Sequence, residues 1–156
     1  MQQNQIITYS GVEGLLNVTF NSLKATGDLL IFETSYASLN DMFTKKQAED
    51  IRKELVRRGI KVRQLTNHAY HEPYTNVEGF HEKVMNIRYI NPNKLRIKVE
   101  TLIYNNVVAI YEPKENGFCL EIKSKELADQ QRQLFEFIWQ NADRPVIGKN
   151  GRTSIF

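Results

Sequence analysis

Apolar and polar positions along this chain change period several times, and the changes mark out its elements. Ile6–Tyr9 is predicted as a short strand. Ser10 and Glu13 then stand as N-cap and N3 of a capping box. Val12, Leu15, Leu16, Thr19, Phe20 and Leu23 follow at helical spacing, and Gly27 is predicted to end that helix. Asp28–Glu33 is a nearly continuous apolar run of strand length, the pattern of a strand covered on both faces. Thr44 and Gln47 form a second capping box. The helix they open carries Ala48, Ile51 and Leu55 on one side and pairs Glu49 with Lys53 and Glu54 with Arg58 at four-residue spacing. Arg57 and Arg58 suit its negative end, and Gly59 stands where a left-handed cap belongs. Ile60–Leu65 is the next strand. The order strand, helix, strand, helix, strand points to parallel pairing with helices packed on the sheet.

Beyond this point the pattern changes. Asn67–Gly79 is a polar loop spotted with aromatic residues, of a length often associated with function. Val84–Ile90, Leu95–Tyr104, Val107–Tyr111 and Phe118–Ile122 are four closely spaced strand candidates. Asn105-Asn106 tolerates the positive φ of a tight turn. Ser124 caps a last helix on which Leu127, Gln131, Leu134, Phe135, Ile138 and Ala142 share a face. Residues 1–143 are expected to form one domain, and 144–156 a C-terminal extension, strand-like or disordered. The expected class is α/β: a mixed central sheet of about six to eight strands flanked by three main helices.

Composition narrows the function classes. A chain of 156 residues with 41% hydrophobic and 25% charged residues can bury a core without disulfide or metal staples. Cys119, the single cysteine, lies in an apolar run and reads as a packed strand thiol. No apolar run is long enough to span a bilayer and the N-terminus lacks a secretory pattern, so a cytoplasmic, reduced protein without membrane contact is expected. The net charge of +3 is too balanced to imply nucleic-acid binding by itself. The local basic excess at Arg52, Lys53, Arg57, Arg58, Lys61 and Arg63 is interleaved with Glu49, Asp50 and Glu54 and reads as a solvated helix face. No cofactor is implied.

Candidate chemistry lies in three places. Thr34-Ser35 follows the buried strand directly, where open α/β sheets place their ligands. His68, His71 and His81 have no further ligands at zinc-site spacing, so no metal is expected and a histidine-spotted surface loop is the reading. His81 and Lys83 are two apart, as a phosphodiesterase nucleophile and its cation would be, but the aspartate that should follow is replaced by Ile87 and Arg88.

The run from Lys94 to Tyr111, with the strand and helix that follow, resembles one half of a phospholipase D-type domain. That family carries a histidine, any residue, a lysine, four residues and an aspartate along a strand into a turn, the histidine attacking phosphorus and the lysine stabilising the phosphoryl oxygens. With the turns matched, the three positions here are Lys98, Glu100 and Asn105, which cannot run that reaction. They remain a candidate ligand-binding floor, or a solvated strand face. Over Ile6–Ala142 the segments IITYSGVEGLLNVTFNSL, GDLLIFETS, VRRGIKVRQL, VETLIYNNVVAI and IKSKELADQQRQLFEFIWQNA together resemble the C-terminal effector domain of TrmB-like, sugar-responsive transcriptional regulators, which share the phospholipase D-like fold. The resemblance implies a noncatalytic domain that senses a small molecule, carbohydrate first, and forms a homodimer. DNA contact is expected only through a segment absent from this chain. The candidate ligand-binding residues are Thr34, Ser35, Lys98, Glu100 and Asn105. Two alternatives stay open: a divergent phosphodiesterase or nuclease using His81 and Lys83, and a protein-interaction module using the basic helix.

Overall fold

A computed structural model describes residues 3–34, 39–114, 116–148 and 152–155. In chain order the elements are β1 (Gln5–Tyr9), α1 (Gly11–Ser22), β2 (Leu29–Glu33), α2 (Leu39–Met42), α3 (Lys45–Arg58), β3 (Val62–Thr66), β4 (Tyr70–His71), α4 (Phe80–Lys83), β5 (Met85–Tyr89), β6 (Glu100–Tyr104), β7 (Val107–Tyr111), β8 (Cys119–Lys123), α5 (Lys125–Gln140), β9 (Val146–Ile147) and β10 (Thr153–Ser154). Seven strands form one mixed sheet in the order β1-β8-β7-β6-β2-β3-β5, and β4-β10-β9 form a small second sheet. The α/β class, the mixed sheet and the three long helices α1, α3 and α5 agree with the expectation from sequence.

Each face of the sheet buries its own core. On one face Val18, Ile51, Leu55, Val62, Leu102 and Tyr111 belong to a cluster to which α1, α3 and α4 contribute. On the other, Leu30, Leu65 and Ile103 meet Phe135 and Trp139 of α5. The nearly unbroken apolar run of β2 follows, since Leu29 looks to the first core and Leu30 to the second. Among the described residues no helix is long and apolar enough to cross a membrane.

The local signals of α3 act as read. Thr44 accepts from Gln47 N while the Gln47 side chain accepts from Thr44 N, completing the box. Gly59 closes the helix at φ 66°. The first box does not form: Ser10 is extended and makes no side-chain cap bond. Gly14 instead lets α1 approach β1, since a Cβ there would stand 2.8 Å from that of Tyr9. That helix ends at Ser22, before Gly27.

Three other expectations are corrected. β2, β3 and β5 are parallel, but β1 lies at the far edge, antiparallel to β8. The predicted strand Leu95–Tyr104 is only Glu100–Tyr104. Ahead of it the backbone is served by one side chain: Asn67 donates to the carbonyls of Ile90 and Leu95 and accepts from Ile97 N, all within 2.8 Å. Those bonds satisfy the backbone without a neighbouring strand. The inner face of α5 is centred on Ala128, Phe135 and Trp139, leaving Leu134 exposed. The 144–156 segment contributes β9 and β10, the strand-like alternative, in its described part.

Candidate functional site

A cavity of about 320 Å³ opens where β2 and β3 end, between the sheet and α3. Its walls are mostly apolar, with Leu29 and Ile31 of β2, Leu102 of β6, Val62 of β3, and Ile51 and Leu55 of α3, and with Thr19, Ser22 and Gln64 set among them. Its polar end gathers Glu33, Arg52, His68, His71, Glu100 and Tyr111. The register explains the gathering. Glu33 lies opposite Thr66, Glu100 lies opposite Tyr111, and the β2–β6 ladder that ends at Phe32↔Thr101 brings Glu33 and Glu100 side by side.

Two carboxyls on neighbouring strands are an unfavourable pair in a dry place. Glu100 is 4% exposed and accepts from Thr34 N at 2.9 Å and, more weakly, from Thr34 Oγ1 at 3.3 Å. Burial, and then the charge of Glu33, hold its carboxyl well above the usual range, against those two bonds. Glu33 Oε2 is buried without a hydrogen-bond partner, and His71 Nε2 stands 3.5 Å from it. Both His71 ring nitrogens are likewise buried and unbonded. His71 reaches the cavity from β4, which β10 fixes through the Thr153↔His71 pair.

Arg52 departs most from the sequence reading. It is 2% exposed, with Nη1 donating to Glu49 at 2.7 Å and to Asn40 at 2.9 Å, and its guanidinium lies over the Tyr74 ring at 4.9 Å. Glu49 therefore pairs with Arg52, not with Lys53, and that part of the basic helix is wall, not solvated face. Glu54 does reach Arg58, and Arg57 as well.

The sequence-derived candidates do not all converge. Thr34 and Glu100 meet at the cavity, and Ser35 lies outside the described residues. Lys98 is exposed in a segment that is not a strand, so the expected shared strand face with Glu100 is not formed. Asn105 sits at the opposite end of β6 with φ 47°, where it accepts from Thr26 and donates to the Lys24 carbonyl. It holds the turn and the end of α1. Glu33 was not singled out by sequence, and His71 read as part of a histidine-spotted surface loop, whereas its ring nitrogens are buried. A carboxylate closing an apolar run is the one signal that could have marked Glu33.

The histidines take different places. His68 and His71 are edge-on at 5.4 Å, and among the described residues no three metal-ligand side chains group together. His81 is wedged between Tyr74 and Phe80 with both nitrogens buried and unbonded, and burial lowers its pKa. Cys119 is buried, and burial followed by the charge of Glu121 pushes its thiol up to about 11, which suits packing and not nucleophilic work.

One prediction arises directly. In the unfolded chain Glu100 ionises near 4.5, whereas in the fold it keeps its proton to higher pH. The stability it contributes is therefore fully present below the unfolded value and is lost as pH rises through the folded one. Glu100→Gln keeps an acceptor for Thr34 and removes that loss. Its melting temperature should exceed the wild type's by a few degrees at about pH 7.5, with the gap closing below about pH 4. A constant gap across a pH series of thermal melts would refute a Glu100 protonated in the fold.

Comparison with known proteins gives the setting. No family pattern matches the sequence. None of the curated proteins matches it in sequence either. In structure it is similar to TrmBL2, an archaeal chromatin protein whose structure shows a novel mode of DNA binding, with a TM-score of 0.60 and 14% identity over 92% of this chain. It spans 55% of that protein's length. It is also similar to Nuc, a phospholipase D family member from Salmonella typhimurium (TM-score 0.63, 12% identity), and to NucT from Helicobacter pylori (0.62, 13%). Each alignment covers 91% of this chain and 98% of the other. The seven-stranded mixed sheet and these alignments together show that the chain has the phospholipase D-like fold.

Proposed function

We propose that this chain is a noncatalytic ligand-sensing and dimerisation domain of a transcriptional regulator. The observation that carries the reading is what occupies the strand ends. At the positions matched to the phospholipase D motif stand Lys98, Glu100 and Asn105, and the fold disperses them. In place of a histidine and lysine facing a cleft there is a mostly apolar cavity with a buried carboxyl at its end. A mostly apolar pocket with a few convergent polar groups is the general form of a small-molecule site. The likeness to TrmBL2 supports a place in a regulator.

Ligand would enter between α3 and the ends of β2 and β3, meeting Glu33, Thr34, His71 and Glu100. It would act by preferring one arrangement of a homodimer, which requires unequal affinity for two states. Carbohydrate is the ligand class that the sequence resemblance suggests. The alternative, a phosphodiesterase using His81 and Lys83, gains little support from a histidine packed between two aromatic rings.

The test joins a thermal-shift screen of sugars, lipids and amines to light scattering and a generic phosphodiester assay. The expected result is concentration-dependent stabilisation by one class, a dimer in solution and no turnover. Turnover that His81→Ala abolishes would overturn the noncatalytic reading.

A further inference from the structure

The two carboxyls of the cavity say more about the ligand than the fold does. Glu33 and Glu100 come from adjacent strands, line the same cavity, and share its polar end with His71 and Tyr111. Glu33 Oε2 has no hydrogen-bond donor although it is buried, an expensive condition for a carboxylate. Among the described residues Arg52 is the arginine set into the wall, and it is already paired with Glu49 and lies over the Tyr74 ring. Behind this acidic end the walls are mostly apolar, interrupted by Thr19, Ser22 and Gln64, and the first two hydroxyls already donate to backbone carbonyls of α1. Sugar sites need donors and acceptors along their length, and these walls have few.

We propose that the cavity takes an apolar molecule carrying one cationic nitrogen, an alkyl- or arylalkyl-ammonium, with the nitrogen between Glu33 and Glu100 and the apolar body against Leu29, Ile31, Leu102 and Ile51. This rests on the ligand-sensing reading above and names the class of ligand. An ammonium supplies the donors that Glu33 Oε2 lacks and the positive charge that two adjacent carboxyls require. In the empty site the pair is accommodated by a proton on Glu100, so binding replaces that proton: the neutral acid becomes a carboxylate paired with R–NH₃⁺, and one proton passes to the buffer. Among the described residues, the groups around the pair are Thr34 and Tyr111 on the sheet, His68, Tyr70, His71, Glu72 and Tyr74 from the loop that carries β4, Arg52 from α3 and Asp41 from α2. Asp41 and Glu72 add to the acidic end. Loss of the Glu100 proton with rising pH therefore favours binding of an amine.

The experiment uses calorimetry on the full chain with n-octylamine, n-octanol and n-octanoate, and maltose as a carbohydrate. Octylamine is expected to bind about tenfold or more tightly than octanol, octanoate more weakly than either. Repeating the octylamine titration in two buffers of different ionisation enthalpy should reveal about one proton released at neutral pH. Glu100→Gln, which keeps an acceptor for Thr34, should lose the preference for octylamine over octanol. Equal binding of octylamine and octanol by the wild type would overturn the cationic assignment and leave the cavity as a ligand site. Binding of maltose without octylamine would overturn the apolar class while sparing the sensing reading. If none of the four binds, and the wider screen is also empty, the sensing reading falls with this one.

Discussion

Phe135→Ala is expected to remove about 3–5 kcal/mol of stability, the cost of truncating a fully buried aromatic residue. The ring is 0% exposed and lies at the centre of the α5 face. Phe32 of β2 meets it edge-on at 5.3 Å, and Trp139 stacks on it at 5.5 Å with 22° between the planes. Two arginines seal the arrangement, Arg63 lying 4.7 Å and Arg88 4.6 Å from the Trp139 ring centre. Arg63 is itself held by Glu136 of the same helix. Little of this can close on a vacated ring, because α5 is the only helix on its side of the sheet among the described residues. Against a total stability of about 5–15 kcal/mol for a domain, the loss takes a large share. Trp139 is the sole tryptophan, so urea unfolding followed by its fluorescence reads this core directly. Phe137→Ala, on the same helix but 71% exposed, is the control and should stay within about 0.5 kcal/mol of wild type. A Phe135→Ala loss no larger than the control's would mean that α5 does not seat on β2 and β3 as described.

Glu121→Ala should cost about 3 kcal/mol for a different reason. Glu121 is 1% exposed on β8 and is the common acceptor for three groups: the Tyr9 hydroxyl of β1, Asn21 Nδ2 of α1 at 2.9 Å and the Tyr104 hydroxyl of β6 at 3.1 Å. Removing the carboxylate strands all three donors and opens a space. Glu121→Gln, which retains one acceptor, should lose less. The pH response offers an independent reading. Burial, and then Glu121 through its bond and its charge, pushes the Tyr9 hydroxyl up to about 12. A raised phenol contributes stability that is intact below its unfolded value near 10 and is lost as pH climbs through the folded one. Wild-type stability should therefore fall between about pH 10 and 12, and fall less steeply in Glu121→Ala. Equal alkaline slopes in the two proteins would count against the network.

What the sequence disclosed and what it hid follow one physical division. Signals that act within a few residues were legible: the box at Thr44, the left-handed Gly59, the turn at Asn105 and the double-sided strand Leu29–Glu33. Signals that depend on a distant partner were not. Nothing near Leu95 and Ile97 says that Asn67 will satisfy their backbone, so an alternating run read as strand. Nothing near Arg52 says that Tyr74 will cover it, so a charged helix position read as solvated. The site suffered most, because it is a meeting of chain segments. Thr34 and Glu100, proposed from a strand end and a family motif, do come into contact, while the place of Glu33 and His71 beside them becomes visible only with the register and the β4–β10 pair. Lys98 and Asn105 were placed beside Glu100 by assuming one continuous strand that the fold does not contain.

The position of β1 has a consequence for how the chain is made. β1 pairs only with β8, so Gln5 waits for Lys123 and Tyr9 for Cys119. During synthesis the parallel unit β2-β3-β5 can assemble as soon as it leaves the ribosome, whereas β1 must stay unpaired until nearly the whole sheet has emerged behind it. Closing so long a loop is slow, and an uncharged strand without proline is sticky while it waits. Refolding should accordingly show β1 docking as its last event, and overexpression at high temperature should direct chains into aggregates through that same segment.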